Sequence, residues 1–202
     1  MIAIVDYGVG NLASVKNALD ALNVKAKIEA RPNELKNYSK LILPGVGAFQ
    51  DAMTFLNKSG MDEAVLNFAK SGKDILGICL GMQLLFDKSE EFGTCTGLGL
   101  IPGQVVAFDK TRFDIKKYKI PHVGWNKIFN KKSKLFLGLD NPYLYFIHSF
   151  HVETEEKYTL GSSTYGYDFT SAVQKDNIYG FQPHPEKSHD NGLRILQNFA
   201  KL

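Results

Sequence analysis

A mostly parallel, doubly wound α/β sheet with antiparallel strands added in its second half is the fold class predicted by this sequence. Three observations predict it. Short β-rich runs alternate with amphipathic helical runs through the first half, the second half turns to aromatic and β-branched runs, and one amphipathic helix closes the chain. Strands alternating with helices imply βαβ units and hence a parallel sheet. At 202 residues the chain can bury a sizeable core, and one domain over 1–202 is the expectation.

Each element has its own signal. Residues 2–6 read as a buried strand, and residues 11–22 follow as a helix with Leu12, Val15, Leu19 and Leu22 on one face. Strands are expected at 25–29 and at 40–43, where Pro44-Gly45 ends the run, with helices near 49–57 and 61–70. A strand at 74–78 runs directly into a helix beginning at Leu80. After about Gly97, strands are expected at 104–108, 124–129, 143–152, 160–165 and 171–174, added on one face or edge of the parallel sheet. The strand-like run 178–181 and the helix 192–202, with Leu193, Leu196, Phe199 and Ala200 at helical spacing, complete the chain.

Composition excludes several function classes. With 44% hydrophobic and 22% charged residues the chain is neither a disordered tail nor a fibrous protein. No apolar run reaches membrane-spanning length, and the acid at Asp6 comes too early for a signal-peptide core. The formal charge is only +3, and the pairs Lys116-Lys117 and Lys131-Lys132 lack an aromatic stacking platform, so no nucleic-acid partner is expected. Two cysteines without CxxC spacing make neither a disulfide framework nor a zinc site, which fits a reducing cytoplasm. Neither cofactor nor metal is expected.

The chemistry begins at Gly77-Ile78-Cys79-Leu80-Gly81, a G-x-C-x-G turn between a buried strand and a helix. Such a turn is a nucleophile elbow: it holds the reactive side chain on a tight corner, and glycines flank it because side chains there would clash. It also leaves the thiol at a helix N-terminus, where unpaired N–H groups favour thiolate. A lone cysteine is more often buried and inert. The paired glycines argue against that for Cys79, and nothing comparable surrounds Cys95.

A thiolate nucleophile needs a base that can afterwards protonate the leaving group. Among five histidines, His184 stands out in Gln182-Pro183-His184-Pro185-Glu186, directly after a strand-like run. Prolines on both sides restrict its backbone and keep helix from forming. Glu186 can accept from the imidazole nitrogen turned away from the thiol, fixing the tautomer. His148, His151 and His189 have no such setting. An amide under attack also needs donors for its oxyanion. The strand-end loop Pro44-Gly45-Val46-Gly47 can aim backbone N–H groups at it, with the N–H of Leu80 as the second donor.

Taken together, the elbow with Gln83 behind it, the strand-end P-G-x-G and the late H-P-E resemble the class I glutamine amidotransferases of the triad type. The resemblance spans essentially the whole chain. In finer detail, the runs Asp6 to Asn11, Pro44 to Phe49, Cys79 to Phe86, Pro121 to Asn126 and Gln182 to Ser188 resemble the glutaminase subunits of imidazole glycerol phosphate synthases, from histidine biosynthesis. The resemblance implies a class I amidotransferase fold and a triad of Cys79, His184 and Glu186. It further implies that Val46, Gly47 and Leu80 line the oxyanion site, and that Gln83, Glu91, Ser149 and Phe150 meet the substrate L-glutamine. Asn11, His122 and Trp125 would face the synthase subunit. His148-Ser149-Phe150 departs from the pattern, which leads one to expect a tyrosine at the third place, so a hydroxyl near the pocket is missing.

The acceptor of the ammonia must lie on another chain. A (β/α)₈ synthase needs about 250 residues, and nothing after Gly97 resembles one, so a heterodimer with a barrel subunit is expected. Three other readings compete. Gly8-Val9-Gly10-Asn11-Leu12-Ala13 with Glu29 downstream mimics a dinucleotide-binding fingerprint, but that reading explains neither the elbow nor the H-P-E. An amidotransferase supplying ammonia to a surface sugar, and a catalytically silent binding subunit, are the others; the intact Cys, His and Glu argue against the last.

Overall fold

The computed structural model describes residues 1–114 and 116–202. In chain order the first half holds β1 (Ile2–Val5), α1 (Leu12–Ala21), β2 (Ala26–Glu29), β3 (Lys40–Gly45), α2 (Phe49–Ser59), α3 (Met61–Lys70), β4 (Ile75–Cys79) and α4 (Leu80–Gln83). Next come β5 (Phe86–Ser89), β6 (Cys95–Thr96), β7 (Ile101–Ala107), β8 (His122–Lys127), β9 (Phe129–Asn130) and β10 (Tyr143–His148). The last are β11 (Phe150–Glu153), β12 (Thr159–Tyr165), β13 (Tyr167–Lys175), β14 (Ile178–Phe181) and α5 (His189–Lys201).

One sheet carries most of the chain. Its parallel half has the order β2-β1-β3-β4-β14. Beyond β14 the sheet continues antiparallel through β13, β11 and β7, with β5 and β6 at the far edge. The period of two along the strands divides the core. Ala3, Val5, Leu41, Leu43 and Ile75 pack toward α2 and α3, while Ile2, Ile4, Ile42, Leu76 and Ile78 pack toward α1 and α5. A helix layer therefore covers each face of the parallel half, and each fully buried Leu, Ile or Phe contributes roughly 1.5–3 kcal/mol. β8 and β10 form a separate antiparallel ribbon.

One expected helix proves short, and three expected boundaries are corrected. The helix after Cys79 is a single turn: Leu84, Leu85 and Phe86 are all fully buried, leaving no polar face, and the carbonyls of Leu84 and Leu85 accept from Leu98 and Leu100 instead. A thiolate-favouring dipole from a long helix is accordingly absent there. The run expected as one strand over 143–152 breaks at Ser149, so that β10 joins the ribbon and β11 joins the main sheet. The strand expected over 124–129 likewise divides into β8 and β9. The final helix starts earlier than expected, at His189, where a Cβ on Gly192 would collide with the Pro185 carbonyl. That close approach seats α5 directly on the H-P-E turn.

Candidate active site

Cys79 sits at the end of β4 with φ 55° and ψ −114°, a conformation that is costly for a residue with a Cβ and persists only where its surroundings enforce it. The enforcement is visible in the flanking glycines. A Cβ on Gly77 would lie 2.6 Å from the Gly81 carbonyl oxygen, and one on Gly81 would strike the Leu43 carbonyl. Strand β3 presses on the corner from the other side, since a Cβ on Gly45 would fall 2.8 Å from the Tyr7 hydroxyl and 2.9 Å from the Gly81 nitrogen. Tyr7, from the loop after β1, donates its hydroxyl to the Pro44 carbonyl at 2.9 Å and so ties that loop to the P-G-x-G segment.

His184 follows β14 and is held by a web of short contacts. Its backbone N–H donates to the Tyr145 carbonyl at 2.9 Å, and the Ser188 hydroxyl donates to its carbonyl at 2.6 Å while accepting from the Tyr145 N–H at 2.9 Å. Its Nδ1 donates to Glu186 Oε1 at 2.8 Å, with both side chains only 2% exposed. Nε2 is then the open nitrogen, buried and without a partner among the described residues. Burial alone would lower the imidazole, but the adjacent Cys79 sulfur and Glu186 carboxylate overcome it and hold its proton more firmly than usual. Cys79 and His184 line the same cavity.

Around these residues lies a cavity of about 300 Å³, large enough for an amino acid. Its walls bring together residues from five separate segments. Val46 and Gly47 come from the P-G-x-G loop, Cys79, Leu80 and Gln83 from the elbow, Glu91 from the β5–β6 connection, Ser149 and Phe150 from the β10–β11 break, and His184 from the H-P-E turn. Gly47 has φ +95°, which only glycine adopts cheaply. Glu91 Oε2 accepts from the Phe49 N–H at 2.7 Å and anchors its loop to the start of α2. Both hydrogens of the Gln83 amide are spent within the protein, one on the Phe150 carbonyl at 3.2 Å and one on Gln182 Oε1 at 3.0 Å. The Phe150 ring, lacking the hydroxyl of the expected tyrosine, packs against the main core.

The three residues read as partner-facing are separated by the fold. Along β8 the side chains alternate, so Trp125 is 47% exposed whereas His122 is 3% exposed. His122 points inward, corrected from a surface position, stacked between Phe146 and Tyr165 with its Nδ1 3.0 Å from His148 Nε2. Asn11 caps α1, accepting from the Ser14 N–H at 3.4 Å. Trp125 stacks on His189 at 5.1 Å with the rings 7° from parallel. The dinucleotide reading also loses its acid: Glu29 is buried and engaged by the Arg31 guanidinium at 2.7 and 2.9 Å and by the Tyr38 hydroxyl at 2.9 Å. Two residues close to the chemistry were given no role from sequence, Tyr7 and Gln182. Both lie inside runs that carried the resemblance, and only their position in those runs could have flagged them.

A tight strand-to-helix corner carrying Cys79, an imidazole–carboxylate pair and a glycine-bearing strand-end loop thus surround one cavity. Residues 3–202 match the family of class I glutamine amidotransferases, and the chain belongs to it. Among solved structures, a glutamine amidotransferase superposes with TM-score 0.76 at 19% identity, covering 100% of both chains, and PurLQS from Thermotoga maritima with TM-score 0.76 at 17% identity, covering 99% of this chain and 97% of that one. These two share the fold. Much nearer in sequence is the imidazole glycerol phosphate synthase subunit HisH of Sulfurimonas denitrificans, 61% identical over 203 residues, covering 100% of this chain and 98% of the relative. The subunit of the same name from Wolinella succinogenes is 60% identical over 205 residues, covering 100% of both.

Proposed function

We propose that this chain is the glutaminase subunit of an imidazole glycerol phosphate synthase, hydrolysing L-glutamine at Cys79 and passing ammonia to a (β/α)₈ synthase subunit in a cytoplasmic heterodimer of histidine biosynthesis. The observation that carries the reading is the convergence of Cys79, His184 and Glu186 on one cavity, with His184 Nδ1 bound to Glu186 and Nε2 left open. The names of the relatives favour this acceptor over a surface sugar. The unbroken sheet joining both halves of the chain supports treating 1–202 as one domain.

The chemistry follows from the groups present. The Cys79 thiolate attacks the carboxamide carbon, and the resulting oxyanion is received by the N–H of Leu80 and by N–H groups of the Val46–Gly47 loop. Collapse breaks the C–N bond while the His184 imidazolium supplies a proton to the departing nitrogen, giving ammonia and a thioester. Water, deprotonated by His184, then attacks the thioester, the C–S bond breaks and glutamate leaves. Glu91 offers its second oxygen to the substrate ammonium, Gln83 its carbonyl oxygen, and Ser149 and Phe150 the wall beside them.

The ammonia must reach its acceptor unprotonated, which requires a covered path into the partner. The outer face of the β8–β10 ribbon suits such a contact. Val123, Trp125, Tyr143 and Ile147 project from it, each 43 to 55% exposed, and Ile147 also lines the cavity. Aromatic anchors of this kind dominate many interfaces. Asn11, at the start of α1, belongs to the same proposed contact; His122 does not. The test of the reading is Cys79→Ala assayed together with the synthase subunit. Glutamate release from glutamine should vanish while the synthase still runs on added ammonium salt; near wild-type glutamate release would refute it.

A further inference from the structure

Besides the imidazole, Cys79 Sγ has two polar neighbours among the described residues, the Ile147 carbonyl oxygen at 3.9 Å and Gln182 Nε2 at 3.7 Å. They respond oppositely when the thiol loses its proton. A carbonyl only accepts, so the Ile147 contact exists for the S–H form alone. An amide NH₂ only donates, and its bond to sulfur strengthens once the sulfur carries charge.

A carboxamide can be turned end for end, but here the neighbours leave one choice. The Phe150 backbone carbonyl is a pure acceptor, and it faces His148 Nδ1 at 2.8 Å and Gln83 Nε2 at 3.2 Å. Gln83 is thereby fixed with its NH₂ toward Phe150. That same NH₂ donates to Gln182 Oε1 at 3.0 Å, so the end of Gln182 that reaches the sulfur is its NH₂. His148 can donate from Nδ1 as a neutral ring only with a bare Nε2, and His122 Nδ1, 3.0 Å away, supplies the proton that Nε2 accepts. Gln182 itself is fully buried, with its backbone N–H on the Ser171 carbonyl at 2.9 Å. The orientation of the amide at the nucleophile is thus set by the Phe150 carbonyl, acting through Gln83.

We infer that Gln182 is a further catalytic residue of the glutamine-hydrolysing site, donating from Nε2 to Cys79 Sγ as thiolate and again as the sulfur leaves the acyl carbon. No proton is transferred; the amide stabilises negative charge on sulfur before attack and during breakage of the C–S bond. Gln83 is a positioning residue that acts through it. The inference rests on Cys79 as the nucleophile, which Cys79→Ala tests separately.

The experiment compares Gln182→Met, which keeps the volume without a donor, with Gln182→Ala, which also leaves a void, each assayed with the synthase subunit. Loss of a hydrogen bond to a charged group corresponds to about a tenfold to hundredfold fall in kcat. Both variants should show that fall with KM for glutamine within about twofold, since the contact is made to the nucleophile and not to the substrate. In a Cys95→Ser background, alkylation of Cys79 by iodoacetamide at pH 7 should slow in parallel. Gln182→Glu, equal in shape but presenting an acceptor, should be at least as impaired and guards against misfolding of the other two. Wild-type kcat and alkylation rate in Gln182→Met, or in Gln182→Glu should Gln182→Met fail to fold, would overturn the inference even if Cys79→Ala is inactive.

Discussion

Replacing Glu186 by glutamine changes one charge and almost nothing else. Glu186 Oε1 accepts from His184 Nδ1 at 2.8 Å, both side chains are 2% exposed, and the glutamine carbonyl can occupy the same place. The hydrogen bond survives, but it is no longer charge-assisted. Bonds to a charged group contribute about 1.5–3 kcal/mol and neutral ones about 0.5–1.5 kcal/mol, so the imidazolium formed during attack loses about 1–2 kcal/mol. That converts to about a fivefold to thirtyfold fall in kcat. His184→Ala removes the proton carrier itself and should cost at least the 10²–10⁴ typical of general acid–base catalysis. The two changes act on one unit, so His184→Ala/Glu186→Gln should be no worse than His184→Ala alone. Glutamate production would be followed by a coupled dehydrogenase assay with the synthase subunit present. Full additivity in the double variant, or wild-type kcat in Glu186→Gln, would refute the assignment of Glu186 as the orienting partner of His184.

Two more predictions follow from the same structure. Trp125→Ala should weaken assembly with the synthase subunit by tenfold or more, the usual cost of losing an interface anchor being about 2 kcal/mol or above. Isothermal titration would measure it, and a sharply lowered melting temperature with unchanged affinity would instead assign Trp125 to its stack on His189. Stability should also fall as pH drops below about 6.5. Burial pushes His148 down to about 3 and His122 down to about 4, so the unfolded chain binds protons that the folded one refuses. His148 alone steepens the fall by up to about 1.4 kcal/mol per pH unit between those limits. His184 works in the other direction, its contribution being complete below about 6.5 and fading as pH rises toward 10, so it leaves the acid window untouched. Urea unfolding at pH 4.5, 5.5 and 6.5 should give a shallower slope for His148→Gln than for the wild-type chain; equal slopes would sink this account.

Much of the site was legible in the sequence because its constraints are short-range. Gly77 is required for a steric reason that acts within five residues, its missing Cβ facing the Gly81 carbonyl, whereas Gly81 answers to the Leu43 carbonyl of the neighbouring strand. His184 and Glu186 are two residues apart, and the prolines around them leave little freedom, so their pairing is encoded locally. The near-continuous apolar runs of β1, β3 and β4 likewise mark strands covered on both faces, without knowledge of what covers them.

What the tertiary structure alone decided depends on contacts between distant segments. The length of α4 turns on where Leu98 and Leu100 find their acceptors, and the break at Ser149 turns on two different sheets competing for one run of residues. His122 and Trp125 look alike as aromatic positions in one motif, yet the pleat of β8 sends one into the core and the other to the surface. The Gln182 amide meets Cys79 across a separation of 103 residues, and its orientation is set by Gln83 of the elbow and the Phe150 carbonyl of the β10–β11 break. Local sterics can be read from neighbouring letters, whereas the partner of a buried donor is chosen only when the sheet has brought every acceptor within reach.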